Sequence, residues 1–236
     1  MCGRFILIDV SGLGVRFRVQ VTGDSPPAPR FNIAPTQTIW TITNEDGTRR
    51  AEQMRWGLIP SWAKSASQIR SSFNARDDKV ATSGLWKRPL ARTRCLIPAD
   101  GFYEWTGPRN ARRPQLIRLK GGGLLAFAGL FDTWHDRATG EVVQSCAIVT
   151  TGPNALMEPI HDRMPVILDA EAEALWLDPA TEDPDRLTSL LRPYPSEEME
   201  AYPVSTIVNS SHDDCPEMIE PIETAPQGGR AGAPPF

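Results

Sequence analysis

Short strand-type segments separated by turn residues run through the whole chain, and this pattern limits the folds that its 236 residues can adopt. Segments 37–43 and 49–58 flank Glu45-Asp46-Gly47, which is a signal for a β-hairpin. Other segments with the composition of strands are 5–8, 93–98, 114–119, 124–130 and 142–150, with Gly121-Gly122-Gly123 and Ala138-Thr139-Gly140 as turns. The sequence therefore predicts a mostly β domain.

Helical signals are few and short. Asp169 is placed to cap a helix that ends at Leu177, and a second helix is expected at 183–191. We find no internal repeat and no linker between two domains, so we expect one domain over residues 1–222. Residues 223–236 form a tail rich in Gly, Pro and Ala beyond Gln227, and this composition predicts disorder.

Composition narrows the class of protein. Hydrophobic residues make up 40% and charged residues 23%, as in a soluble protein. No apolar run reaches the roughly 18–20 residues of a membrane span, and no secretory signal opens the chain. The four cysteines lack the spacing of a zinc site and the chain has only three histidines, so we expect no metal, no cofactor and a cytoplasmic protein. Cys95 and Cys146 fit small core positions on strands.

Charge is distributed unevenly along the chain, whose net charge is −4. Residues 49–120 hold 16 basic and 5 acidic side chains, whereas residues 121–236 hold 5 basic and 20 acidic ones. Tryptophans stand among the arginines of the basic third, a pattern that suits a phosphate-binding face with stacking groups. A solvated basic stretch that pairs with the acidic C-terminal half explains this charge distribution equally well.

Cys2 directly follows the initiator methionine and is the main candidate nucleophile. Removal of Met1 would expose an α-amine and a thiol on adjacent carbons, a combination found nowhere else in a polypeptide. The amine can form a Schiff base with an aldehyde, and the thiol can then close a thiazolidine ring. Because the pKa of an α-amine lies well below that of a lysine side chain, a sizeable fraction is nucleophilic at neutral pH.

Three other clusters of polar residues lie at strand ends or in loops: 70–76, 99–105 and 160–165. Each has a plain structural explanation, since Asn74 fits a turn, Glu104 an outward strand position, and His161 with Asp162 a capped turn. Together with an N-terminal aminothiol, they supply the amide, carboxylate and imidazole that acid–base chemistry on an aldehyde requires.

The ordered motifs of the chain resemble those of the SRAP family, the SOS-response-associated peptidases, also called abasic-site processing proteins. The resemblance runs from Met1 to about Pro221. The motifs are MCGRF (1–5), FNIAPT (31–36), WGLIPSW (56–62), FNAR (73–76), CLIPADGFYEW (95–105), FAGLF (127–131) and IHDRMPVIL (160–168).

The resemblance implies an α+β domain with a barrel-like, mostly antiparallel β core, short flanking helices and a basic DNA channel. It implies a DNA-damage protein that senses abasic sites in single-stranded DNA, preferentially at junctions with duplex. The mature N-terminal cysteine would form a covalent thiazolidine DNA–protein crosslink that shields the strand from cleavage. The implied enzyme chemistry is autocatalytic removal of Met1 and lyase-type Schiff-base formation. We expect a monomer, associated with the nucleoid when bound to DNA.

The resemblance also implies roles for individual residues. Cys2 matches the nucleophile, Asn74 a residue that hydrogen-bonds the crosslinked sugar, Glu104 a proton-shuttling carboxylate, and His161 an acid near the linkage. Residues expected to contact DNA are Arg4, Arg76, Arg163, Trp62 and Trp105.

One position departs from the family pattern. Relatives usually carry a second aromatic residue after the Trp of the GLIPSW segment, where it helps to wedge DNA at a junction, and this chain has Ala63. Trp86 is a candidate to support Trp62, and a weaker junction preference is expected.

Two alternative functions stay open at this point. An amidohydrolase with an N-terminal Cys nucleophile would turn over a small amide and would not need a basic channel. A non-covalent single-strand DNA-binding module would bind in a salt-sensitive way and would be unaffected by Cys2→Ala.

Overall fold

β-strands carry most of the regular structure. The computed structural model describes residues 2–21, 28–66, 72–108 and 110–223. In these ranges the strands are β1 (Phe5–Leu7), β2 (Arg30–Ile33), β3 (Thr38–Glu45), β4 (Thr48–Trp56), β5 (Asn74–Arg76), β6 (Arg94–Ala99), β7 (Gly101–Thr106), β8 (Arg113–Leu119), β9 (Leu125–His135), β10 (Val142–Thr151), β11 (Met164–Pro165) and β12 (Met199–Pro203). The helices are α1 (Leu13–Phe17), α2 (Asp77–Val80), α3 (Lys87–Arg92), α4 (Ala170–Leu177) and α5 (Pro184–Thr188), with 3-10 turns at Ser196–Glu198, Thr206–Asn209 and Pro216–Ile219.

Five strands close into a barrel in the order β10-β4-β3-β6-β9, because β9 also pairs with β10. The β4–β10 pair is parallel and the other four pairs of the ring are antiparallel. Closure leaves no open strand edge around the ring, which removes a site of unwanted strand pairing. The predicted α+β fold with a barrel-like, mostly antiparallel core is confirmed.

A second sheet has the order β12-β8-β7-β1-β2 and is antiparallel throughout. The side chains of β1 alternate between two clusters: Phe5 and Leu7 enter the main core, and Ile6 packs with Tyr103 on the opposite face. Cys2 also belongs to the main core. The N-terminal segment is therefore buried by β1 pairing with its two neighbours.

The C-terminal end of β10 gathers the segments that later form the site. β4 ends at Trp56, where the Gly57 N–H donates to the Cys146 carbonyl over 2.8 Å, and β5 then runs parallel to Ile148–Thr150. β11 pairs antiparallel with the last two residues of β10. The short strands β5 and β11 are thus both positioned by one long strand.

Close packing explains one glycine of the barrel. Gly129 on β9 lies opposite Cys95 on β6, and a Cβ at Gly129 would approach the Cys95 Sγ to 2.6 Å. Cys95 and Cys146 are both fully buried, as predicted for core positions, and burial raises the pKa of each thiol.

Several local predictions are confirmed and others need correction. β3 and β4 form the predicted hairpin, with positive φ at Asp46 and Gly47. Asp169 caps α4 by accepting a hydrogen bond from the Ala172 N–H over 2.8 Å, but the helix expected at 183–191 is only the five-residue α5. The segment 99–105, interpreted as a strand end or loop, contains most of β7. The tail beyond residue 223 lies outside the described residues.

Candidate active site

Cys2 lies fully buried where the N-terminal segment enters the main core. Its carbonyl accepts a hydrogen bond from the Asn74 Nδ2 over 2.8 Å, and its Sγ lies 3.9 Å from the Arg4 carbonyl oxygen. Burial raises the pKa of the thiol, and the nearby negative charge of Glu104 raises it further. Cys2 is therefore held in place by Asn74 of β5. Its raised pKa favours the neutral thiol in the folded protein.

Glu104 reaches the site because β7 runs beside β1. Phe5 pairs with Phe102, and the Tyr103 N–H donates to the Arg4 carbonyl over 2.9 Å, so the register places Glu104 beside Gly3. Side chains alternate along β7, which turns Glu104 to the same side as Phe102, toward the core. Only 3% of Glu104 is exposed, and this burial raises the pKa of its carboxyl. A buried carboxyl with a raised pKa is suited to take up and return a proton.

His161 approaches Glu104 from the loop between β10 and β11, with 4.0 Å between its Nε2 and the Glu104 Oε2. The Arg163 main-chain N–H lies 3.0 Å from the His161 Nδ1. A main-chain N–H is always a donor, so this contact calls for an unprotonated Nδ1, while the Asp162 Oδ1, 2.8 Å from the same nitrogen, favours a protonated one. Catalytic contacts of this length in a free protein often shorten when a substrate binds.

The three arginines expected at DNA have different surroundings. Arg76 is exposed and pairs with Asp78 through two contacts of 2.9 and 3.1 Å. Arg4 is partly buried, donates from Nη1 to the Asn32 Oδ1 and to the Val208 carbonyl, and has its pKa lowered by burial. Arg163 is buried and paired with Asp77. Arg76 is the arginine of the three with an open surface position.

The two predicted DNA-contacting tryptophans also differ. Trp62 is 60% exposed, whereas the Trp105 indole N–H donates to the Asn209 Oδ1 over 2.7 Å. Trp105 lines an open cavity of about 710 Å³ together with Arg112.

Ala63, the position that departs from the family pattern, packs in a small apolar cluster. Ala63 is buried against Ile59 and Trp134, and its carbonyl accepts the Trp134 indole N–H over 2.7 Å. Trp86 is buried in the main core, so it does not join Trp62 at the surface.

Comparison with known proteins identifies the family of this chain. A sequence model described as SOS response associated peptidase (SRAP) matches residues 1–211. The chain belongs to the SRAP family. A relative named abasic site processing protein YoqW, from Bacillus subtilis (strain 168), is 45% identical over 224 residues, covering 93% of this chain and 99% of the relative.

Proteins of lower identity are also similar to this chain. Abasic site processing protein HMCES of Gallus gallus is 36% identical over 193 residues, which span 72% of this chain and 57% of HMCES. An X-ray structure of a protein from Bacteroides thetaiotaomicron superposes with a TM-score of 0.81 at 26% identity, covering 94% of this chain and all of that one.

The fold brings Cys2, Asn74, Glu104 and His161 together, although they are widely separated in sequence. Sequence reasoning missed Asp77 and Thr150, which hold Arg163, and Asn209, which holds Trp105. The only sequence signal for Asp77 was its place directly after the FNAR motif. Among the described residues, no group of three or more His, Cys, Asp or Glu side chains is arranged to hold a metal.

No helix in the described ranges combines the length and the apolar character that a membrane crossing requires.

Proposed function

We propose that this SRAP protein processes abasic sites in DNA by capturing them covalently through Cys2. The observation that carries the proposal is the convergence of an amide, a carboxylate and an imidazole around Cys2. Asn74 contacts the Cys2 carbonyl, the charge of Glu104 acts on the Cys2 thiol, and His161 faces Glu104. The names of its relatives, abasic site processing proteins, support the same substrate.

The reaction begins with the free α-amine of Cys2. Hydrolysis of the Met1–Cys2 peptide bond consumes one water molecule and releases methionine, and we propose that the site itself catalyses this step. The amine then attacks the C1′ aldehyde of the ring-opened deoxyribose, and loss of water gives an imine. The Cys2 S–H adds across the C=N bond, sulfur to carbon and hydrogen to nitrogen, which closes a thiazolidine without oxidation or reduction.

Each side chain has a task in this sequence. Glu104, whose pKa is raised by burial, accepts a proton from the attacking amine and returns one to the departing hydroxyl. The His161 Nε2–H lies on the side of Glu104, where it supplies a proton to the sugar oxygen as the ring opens. Asn74 orients Cys2 through its carbonyl.

Ring closure explains why capture protects the strand. A lyase keeps the imine, removes the 2′ proton and breaks the DNA by elimination. The saturated thiazolidine has no imine to promote this elimination, so the thiol diverts the Schiff base into a stable product. Cys2→Ser keeps the amine but offers a weaker nucleophile for ring closure, and we expect it to lose the durable crosslink and to show strand cleavage.

The surface around the site supports DNA as the partner. The basic side chains are concentrated in residues 49–120, and that segment includes the exposed Arg76 and Trp62. Stacking on an aromatic side chain and pairing with a guanidinium are the usual means of binding single strands. We propose that the protein acts as a monomer on single-stranded DNA in the cytoplasm, because one abasic site needs one Cys2.

The test is a denaturing gel of purified protein incubated with single-stranded DNA that carries one abasic site. We expect a heat-stable shifted band with the natural protein and none with Cys2→Ala. Cys215→Ala is the matched control, because Cys215 is the one cysteine among the described residues that is not buried and it lies outside the site. Intact mass shows whether Met1 is absent. No shifted band from protein that has lost Met1 would refute covalent capture.

A further inference from the structure

A buried ion pair joins the segments that carry the site residues. The Arg163 Nη2 donates to the Asp77 Oδ1 over 2.8 Å, to the Thr150 Oγ1 over 3.2 Å and to the Thr150 carbonyl. The other oxygen of Asp77 accepts the Thr151 hydroxyl over 2.7 Å. Asp77 directly follows β5, which holds Asn74, and Arg163 ends the loop that holds His161. One carboxylate thus connects β5, the end of β10 and the His161 loop.

The His161 Nδ1 has two neighbours that favour different positions of the ring proton. Two groups compete for the His161 Nδ1: the Arg163 N–H at 3.0 Å and the Asp162 Oδ1 at 2.8 Å. The N–H requires an unprotonated Nδ1 and leaves the proton on Nε2, facing Glu104. The Asp162 carboxylate would instead attract the proton to Nδ1 and would leave Nε2 without one.

The competition depends on how firmly each group is held. The Asp162 side chain is 86% exposed and can turn into solvent, whereas the Arg163 side chain is 10% exposed and is anchored by Asp77 and Thr150. The anchored side chain keeps the Arg163 N–H in line with Nδ1. Without Asp77, the Nη2 of Arg163 would keep only its two contacts with Thr150.

We propose that Asp77 and Arg163 are positioning residues that hold His161 with its ring proton on Nε2, directed at Glu104. The catalytic consequence of this inference rests on the proposed function, but the protonation pattern itself does not.

Histidine nitrogen NMR tests the protonation pattern without any DNA. The chain has three histidines, so ¹⁵N-labelled histidine gives few signals, and His161→Gln assigns the one of interest. We expect a proton on Nε2 in the natural protein and a large share of Nδ1–H in Asp77→Ala. Asp162→Asn removes the competing carboxylate, so adding it to Asp77→Ala should restore the Nε2–H signal. An unchanged His161 signal in Asp77→Ala would overturn the inference.

The rate of crosslinking tests whether the position of the His161 ring proton matters for the reaction. At saturating abasic DNA we expect Asp77→Ala to crosslink about tenfold more slowly, in line with the loss of an orienting hydrogen bond behind a functional histidine. Asp77→Asn keeps an acceptor for Arg163, and an intermediate rate is expected; it also carries the test if Asp77→Ala does not fold. Asp185→Ala removes one acidic side chain from the exposed surface of α5 and is the matched control.

Affinity separates positioning from phosphate binding. In a Cys2→Ala background, which cannot crosslink, we expect Asp77→Ala to bind DNA with unchanged affinity. If Asp77→Ala weakens DNA binding while its His161 signal stays that of the natural protein, Asp77 acts on DNA binding and our proposal is refuted. If the natural protein does not crosslink, the proposed function fails while the NMR result still decides the inference.

Discussion

Asn74 offers a sharp test of the site, because Asp has nearly the same shape but lacks the donor. The Asn74 Nδ2 donates to the Cys2 carbonyl over 2.8 Å, and its Oδ1 is buried with no hydrogen-bond partner in the part of the chain that the structure describes. Asn74→Asp places a second acceptor against the Cys2 carbonyl, whereas Asn74→Ala simply removes the amide. We expect the substitution of similar shape to be the more damaging one.

The expected losses in unfolding free energy follow from these contacts. Asn74→Ala loses one hydrogen bond, worth about 1 kcal/mol of unfolding free energy. Asn74→Asp loses the same bond and buries an unpaired acceptor at a further cost of about 1–3 kcal/mol, so we expect a total loss of about 2–4 kcal/mol at pH 8. A loss of this size lowers the melting temperature of a domain of this length by roughly 4–16 °C.

The penalty of Asn74→Asp depends on pH in a defined direction. Burial and the facing carbonyl raise the pKa of the introduced carboxyl above its unfolded value, and the protonated form can donate to the Cys2 carbonyl. The folded state is therefore least affected at pH values below the unfolded pKa, and stability is lost as pH rises through the folded pKa. Asn74→Ala has no such group and should keep a constant penalty.

Urea unfolding at several pH values between 5 and 8 measures these differences. Each variant is compared with the natural protein at the same pH, so that other titrating groups cancel. An Asn74→Asp protein that matches the natural stability at pH 8, or that is more stable than Asn74→Ala there, would show that no donor from residue 74 holds the Cys2 carbonyl. The same outcome would remove the main support for the proposed orientation of Cys2.

Two other substitutions test the site and its surface. Burial raises the pKa of Glu104, so its charged form destabilises the folded protein. We therefore expect Glu104→Gln to slow crosslinking and to raise the melting temperature at pH 8. The gain in melting temperature should shrink as pH falls through the raised pKa of Glu104. An equal gain at all pH values would contradict the assigned burial effect. Trp62 is 60% exposed, so we expect Trp62→Ala to weaken binding of single-stranded DNA by about tenfold or more, as for the loss of one stacked base, at an unchanged melting temperature. Val15→Ala, which shortens an exposed apolar side chain on α1, is the control; equal affinities in fluorescence anisotropy would exclude Trp62 from the DNA surface.

Local signals account for the elements that the sequence predicted well. The Glu45-Asp46-Gly47 turn requires positive φ at its centre, and this requirement depends on neighbouring residues alone. The same is true of Asp169, whose carboxylate caps α4 three residues further along the chain. The family motifs also single out Cys2, Asn74, Glu104 and His161 as candidates, and their roles stay predictions.

Burial was decided only by the tertiary structure, because it depends on strands that are far apart in sequence. Glu104 fitted an outward strand position, but pairing of β7 with β1 turns it into the core beside Cys2. The pairing of Arg163 with Asp77, where β5, β10 and the His161 loop meet, was likewise visible only in the tertiary structure.

The sequence by itself determined the chemical groups of this protein and the short-range turns and caps, since both depend on residue type and close neighbours. The tertiary structure determined which of those groups face one another, which are enclosed, and which pKa values are shifted. Hydrogen bonds and desolvation act over a few ångströms, and only the tertiary fold, in which the second sheet and the barrel share one core, brings residues 2, 74, 104 and 161 together.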